Sequence, residues 1–158
     1  MSRFLISLFA TLVGAMPASA LAVTVGSGNP HFQEAPLTFV RGHAVCLNSA
    51  GREVASPFGC TETGRQFGFA SQDGKLYKFL PTDTMTTVFT DSRVRQRQLQ
   101  LTARLHSGDH LEIIKVQSIK DGKLYDIFYF CDVCTITSYT PGLCPCCRNE
   151  MEFREKPQ

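Results

Sequence analysis

Residues 97–130 read RQLQLTARLHSGDHLEIIKVQSIKDGKLYDIFYF, and this stretch decides the fold class. Leu99, Leu101, Ala103 and Leu105 recur at every second position, the period of a strand with one buried face. Gln98, Gln100, Thr102 and Arg104 are expected to face water. Ser107-Gly108-Asp109 interrupts the pattern, HLEIIKVQSI (110–119) resumes it, and Asp121-Gly122 precedes KLYDIFYF (123–130). Glycine accepts the positive φ of tight hairpin turns, so the three runs are predicted to be consecutive antiparallel strands.

Upstream, LTFVRGHAVCLN (37–48), RQFGFAS (65–71) and KLYKFL (75–80) have the same β texture, with Asp73-Gly74 as the turn between the last two. The pentapeptide DGKLY occurs at 73–77 and again at 121–125. A true repeat unit would extend over about 20 residues or more, so we read this as one turn-plus-strand solution used twice. Only PTDTMTTVF (81–89) departs from the texture. It carries a capping residue, an early acid, and Met85 and Phe89 four apart, which predicts a short helix starting near Thr82.

Composition agrees with a single globular domain. The 158 residues are 43% hydrophobic and 19% charged, with a net charge of +2, too small to imply a polyanionic partner. Tryptophan is absent, so twelve Phe and four Tyr supply the aromatic bulk of the core. Residues 1–22 read as a signal peptide: Arg3, an apolar run from Phe4 to Ala15, then small-residue cleavage sites at Ala18-Ser19-Ala20 and Ala20-Leu21-Ala22. That run is shorter than the about 20 residues a membrane span requires, so the mature chain is expected to be exported, periplasmic or extracellular, without a membrane span. Residues 23–36 (VTVGSGNPHFQEAP) read as a flexible lead-in.

Strand, strand, strand, short helix, strand, strand is the layout of an OB-fold, so a mainly β, five- or six-stranded OB-like barrel is expected over 37–130. The run GHAVCLN, Cys60, DGKLYKF and LQLTARLHSGDHLEIIKV (within 42–119) resembles small exported OB-like domains of uncharacterised bacterial proteins. That resemblance implies a fold and export, not a reaction.

The chemistry is concentrated after the barrel. CDVCTITSYTPGLCPCC (131–147) holds five of the seven cysteines. Cys131-x-x-Cys134 and Cys144-x-x-Cys147 are two knuckles whose sulfurs can converge on a tetrahedral ion at about 2.3 Å. Tyr139-Thr140-Pro141-Gly142 provides the reversal between them. The pair resembles a zinc ribbon or rubredoxin knuckle pair, with two departures: Arg148 stands where glycine commonly follows the second knuckle, and the intervening loop is short. Zinc is the expected ion, and Cu(I) or iron suits the same sulfurs. Two alternatives stay open. An oxidising compartment favours disulfides Cys131–Cys147 and Cys134–Cys144, and exposed thiols would suit thiol–disulfide redox or copper handling. Cys146 is an alternate ligand or a free thiol. Cys46 and Cys60 are assigned to a disulfide closing the loop after the first strand, contributing about 3 kcal/mol in the loop-entropy picture.

No constellation for catalysis is present. The acids Asp109, Glu112, Asp121 and Asp126 are scattered over turns and strands, and phosphate-loop, Gly-x-Ser-x-Gly and His-Glu-x-x-His motifs are missing. His31, His43, His106 and His110 lie far in sequence from the cysteines of 131–147, although His106 and His110 flank one predicted turn. Arg93, Arg95, Arg97 and Arg104, with Tyr77, Phe79, Tyr125 and Phe128, are the residues a single-stranded nucleic acid would require. A solvated strand face explains those arginines better, given export and near-neutral charge. The sequence therefore predicts a non-catalytic binding module with an unknown ligand or protein partner, whose cysteine-rich appendix and charged tail (131–158) hold a metal.

Overall fold

The computed structural model describes residues 35–55, 60 and 63–158; the expected signal peptide and nearly all of the lead-in lie outside them. The strands are β1 (Leu37–Leu47), β2 (Gln66–Ser71), β3 (Leu76–Phe79), β4 (Gln98–His106), β5 (His110–Lys120), β6 (Lys123–Cys131), β7 (Ile136–Ser138) and β8 (Glu152–Pro157). A 3₁₀ segment, Thr84–Thr90, and a one-turn helix α1, Ser92–Arg95, lie between β3 and β4.

The first five strands form an OB-like barrel. β1 pairs β2 and β4, β2 pairs β3, and β4 pairs β5, all antiparallel. β3 and β5 then meet in parallel through Lys78↔His110 and Phe79↔Leu111. This last seam is short, so the barrel closes unevenly. The hairpin turns are the expected ones. Asp121 and Gly122 have φ of 50° and 75°, both left-handed as a type I′ turn requires.

β1 lies between β2 and β4, and at Gly42 it pairs with both, with Leu99 of β4 on one side and Ser71 of β2 on the other. A Cβ at position 42 would lie 1.9 Å from the Ala70 carbonyl oxygen. Only glycine lets the two backbones approach this closely.

The predicted alternation in β4 holds for Leu99, Leu101 and Ala103, all buried. It fails at two positions. Gln100, expected to face water, is buried and its Oε1 accepts a 2.8 Å bond from Arg41 Nε, while Leu105, near the hairpin turn, is partly exposed. The expected helix also takes a different form. Asp83 caps a 3₁₀ segment by accepting from Met85 N–H at 2.9 Å. Thr86, Thr87 and Thr90 donate their hydroxyls to carbonyls three residues back. Those side-chain bonds compete with α geometry and favour the tighter winding. The segment places Val88 and Phe89 in the core, where Phe89 stacks on Phe79 at 5.1 Å.

The arginines expected on a solvated strand face do not share one strand. Arg93 and Arg95 lie on α1 rather than on a strand, because Asp91 caps that turn by accepting from Arg93 N–H at 2.9 Å. Arg93 pairs with Asp91, Arg95 donates to the carbonyls of Phe89 and Thr90, Arg97 pairs with Glu155, and Arg104 pairs with Glu112.

Beyond the barrel, β6 pairs its beginning with the end of β5 and its end with β7, while β8 covers its other edge. The charged tail thus contributes a strand, β8. Tyr129 and Glu155 tie these three strands to the barrel. The buried Tyr129 hydroxyl donates to Asp91 at 3.0 Å, and its ring meets Phe153 edge-on. Burial works against the Glu155 carboxylate, yet bonds from Lys120, Ser118 and Arg97 hold it below its ordinary value. A lowered carboxyl contributes stability that is fully present above that ordinary value and is lost as pH falls from there through the lowered folded value. Acid titration followed by circular dichroism is therefore expected to show stability falling below about pH 4.5, and Glu155→Gln is expected to lower stability at neutral pH by about 1–2 kcal/mol and flatten the acid limb.

Candidate metal centre

β6 ends at Cys131, and the chain reverses at once to form β7, with Cys131 opposite Ile136. The reversal is the first knuckle. Thr135 N–H donates to the Cys131 carbonyl at 2.7 Å, and Thr135 itself has φ 55°. The second knuckle repeats this geometry: Arg148 N–H donates to the Cys144 carbonyl at 2.9 Å, and Arg148 has φ 63°. It is held by a small hairpin in which Cys144 N–H donates to Asn149 O at 2.8 Å and Met151 N–H to Gly142 O at 3.2 Å. The left-handed residue directly after each second cysteine turns the backbone so that both sulfurs of a knuckle face one point.

Neither position is glycine. A side chain in the left-handed region costs about 1 kcal/mol or more, so each knuckle is formed against local preference. Arg148→Gly and Thr135→Gly are each expected to raise the stability of the metal-free protein by about 0.5–1 kcal/mol, measured as an upward shift in the denaturant midpoint. Arg148, the departure from the knuckle pattern noted in the sequence, keeps the glycine geometry at that cost.

The two knuckles converge. The sulfurs of Cys131, Cys134, Cys144 and Cys147 all lie within 4.8 Å of one another, and Cys131 Sγ is 3.5 Å from Cys147 Sγ. A tetrahedron of about 2.3 Å metal–sulfur bonds has edges of about 3.8 Å, so these separations suit one shared ion. They are far beyond a sulfur–sulfur bond of about 2.05 Å. All five C-terminal cysteines are free thiols. The four sulfurs can hold a metal ion.

Burial grades the set. Cys131 and Cys144 are buried and join the same apolar cluster as Leu99 and Leu111 of the barrel and Ile127 of β6, while Cys134 and Cys147 are half-buried at its edge. Cys146 is exposed. Backbone N–H groups of Cys147 and Cys146 point at the Cys144 sulfur and lower its pKa to about 7. The Cys134 thiol is pushed up, first by its contact with Cys146, then by desolvation and by the thiols of Cys147 and Cys144. Cys131 is also raised: the Cys134 N–H favours its thiolate, but desolvation and the thiols of Cys147 and Cys144 outweigh that. One sulfur is thus ready to ionise while two neighbours resist. A cation among them would remove that resistance by neutralising adjacent negative charge.

Several residues that shape the site carried no motif. Asp132, inside the first knuckle, accepts from Arg154 Nη2 of β8 at 2.7 Å, and Met151 is buried against the cluster. Only the positions directly after each Cys-x-x-Cys, Thr135 and Arg148, could have been singled out from spacing. Cys46 and Cys60 form a disulfide between β1 and the segment entering β2, apart from the cluster in sequence. His106 lies opposite His110 in the β4–β5 hairpin, but its Nε2 meets Glu112 at 3.0 Å while His110 Nδ1 meets the Ser107 carbonyl. Among the described residues the four cysteines are the only group of three or more potential ligands placed to hold a metal, and no helix is long and apolar enough to cross a membrane. No family model, curated protein or solved structure matches the chain.

Proposed function

We propose that the protein is an exported, non-catalytic binding module whose two terminal knuckles hold a structural zinc ion. The observation that carries this reading is the convergence of four sulfurs, two of them buried in the barrel's own core. Four protein sulfurs complete a tetrahedral shell and leave no position for substrate or activated water, which is the arrangement of a structural ion rather than a catalytic one. Such an ion would fix β6, β7 and β8 where apolar packing is thin. The Cys46–Cys60 disulfide supports an oxidising compartment, and the processing signal read in residues 1–22 agrees with it. The barrel is the element left to bind a ligand or protein partner. A nucleic acid is disfavoured because the candidate arginines have intramolecular partners.

Elemental analysis and a free-thiol count on protein isolated from its native compartment test this reading. One zinc per chain, with the four ligand thiols protected from alkylation until acid or chelator is added, is expected. Copper in place of zinc would favour the metal-handling alternative. Metal-free protein with the cluster sulfurs paired would favour a disulfide-stapled interaction domain.

A further inference from the structure

β1 has two edges, and its first half uses only one of them. Leu37 to Gly42 pair with β4, whereas pairing with β2 begins at Gly42. Among the described residues, therefore, no strand lies along the other edge of 37–41. Backbone groups of successive strand residues point to opposite edges. On the open side the Arg41 carbonyl accepts from Gln72 N–H at 2.9 Å. By alternation Leu37 and Phe39 direct both N–H and C=O to that side, and Arg41 directs its N–H there. Residues 38–41 also line a groove of about 580 Å³, together with Ser71, Gln72 and Asp73 at the β2–β3 turn and with Tyr77.

The side chains along this edge say what it can take. Leu37 and Phe39 are 59% and 69% exposed, apolar residues on an edge of the kind that soluble proteins ordinarily cover or charge. Arg41 follows on the same exposed face. Its Nε donates to Oε1 of the buried Gln100 at 2.8 Å, which fixes the guanidinium, and among the described residues no carboxylate pairs with it. Asp73 is the one acid lining the groove, and it accepts from the Ser71 hydroxyl.

Resting on the reading of the barrel as the binding element, we propose that the open edge of β1 receives an extended acidic peptide as an added strand. Its backbone bonds to Leu37, Phe39 and Arg41, and its side chains fall opposite theirs at every second position. An Asp or Glu lies beside Arg41, whose planar fork of donors matches a carboxylate, and apolar residues two and four positions away lie beside Phe39 and Leu37. A second copy of the chain pairing through the same edge fits less well. Residues 37–41 (LTFVR) contain no carboxylate, so they would set Arg41 against an apolar residue or another Arg41. The zinc ion takes no part.

The test pans a random heptapeptide library over the immobilised, full processed chain loaded with zinc. Enriched peptides are expected to carry an Asp or Glu with apolar residues two and four positions away. Adding the most enriched peptide is expected to slow amide hydrogen exchange at Leu37, Phe39 and Arg41, while Thr38 and Val40, which face β4, stay unchanged. Arg41→Gln is expected to bind that peptide about tenfold more weakly. Phe39→Pro, which removes the outward N–H, is expected to weaken it at least about tenfold, and Phe39→Leu, which keeps that donor, by less than about threefold. No enriched peptide, unchanged exchange at the three amides, or equal binding by Arg41→Gln would overturn the proposal. So would protection of the same amides that grows with protein concentration alone, which would give the edge to a second copy. Peptides that protect β7 or β8 instead would overturn the barrel reading as well, and zinc content measured on the same samples reports on the metal reading separately.

Discussion

On the zinc reading proposed above, Cys144→Ser is expected to weaken zinc binding severely. Cys144 is fully buried, receives backbone N–H groups of its own knuckle, and is the sulfur most inclined to ionise. Structural zinc in small domains is held by about 10–16 kcal/mol, so one ligand in four accounts for about 3–4 kcal/mol. That corresponds to a loss of affinity of two to three orders of magnitude, at about 1.4 kcal/mol per tenfold. Competition titration against a chelator of known affinity measures it. Cys146→Ser is the control and is expected to change affinity by less than about threefold, because its sulfur lies outside the four. Equal losses in the two variants would mean that the ligand set is wrong.

Gly42→Ala is expected to be the most damaging single change in the barrel. The added methyl would lie 1.9 Å from the Ala70 oxygen, and 2.8 Å from both Ala70 C and Ser71 Cα. All three are backbone atoms of the paired strand, so no side chain can rotate to make room. Overpacking of this kind costs about 3 kcal/mol or more, which lowers the melting temperature of a domain this size by roughly 10 °C. Gly74→Ala separates space from conformation. Gly74 has φ 83° with open space around it, so alanine there is expected to cost only about 1 kcal/mol. A thermal melt in which Gly42→Ala is no worse than Gly74→Ala would mean that β1 and β2 do not approach as closely at Gly42 as described.

The parts of this fold legible in the sequence were those fixed by local chemistry. The alternation of Leu99, Leu101 and Ala103, the Asp121-Gly122 turn and the two knuckle spacings each state their own geometry within a few residues. β8 was not legible, because EFREKP carries the charges of a tail and becomes a strand only when β6 offers it an edge. Gln100 was misread for a related reason: its burial depends on Arg41, fifty-nine residues away. The tie from Tyr129 to Asp91 spans thirty-eight residues and has no motif. At the candidate site the ligand set could be read from spacing, while the grading of its sulfurs could not. Which cysteines are buried depends on how the β6–β7–β8 sheet lies against the barrel core, and no local pattern encodes that.

X-ray absorption at the zinc edge of the purified, metal-loaded chain interrogates the ion's surroundings directly. The account predicts a first shell of four sulfur atoms at about 2.3 Å with no nitrogen or oxygen scatterer. A shell containing water or imidazole, or fewer than four sulfurs, would contradict the convergence of Cys131, Cys134, Cys144 and Cys147 on a single ion.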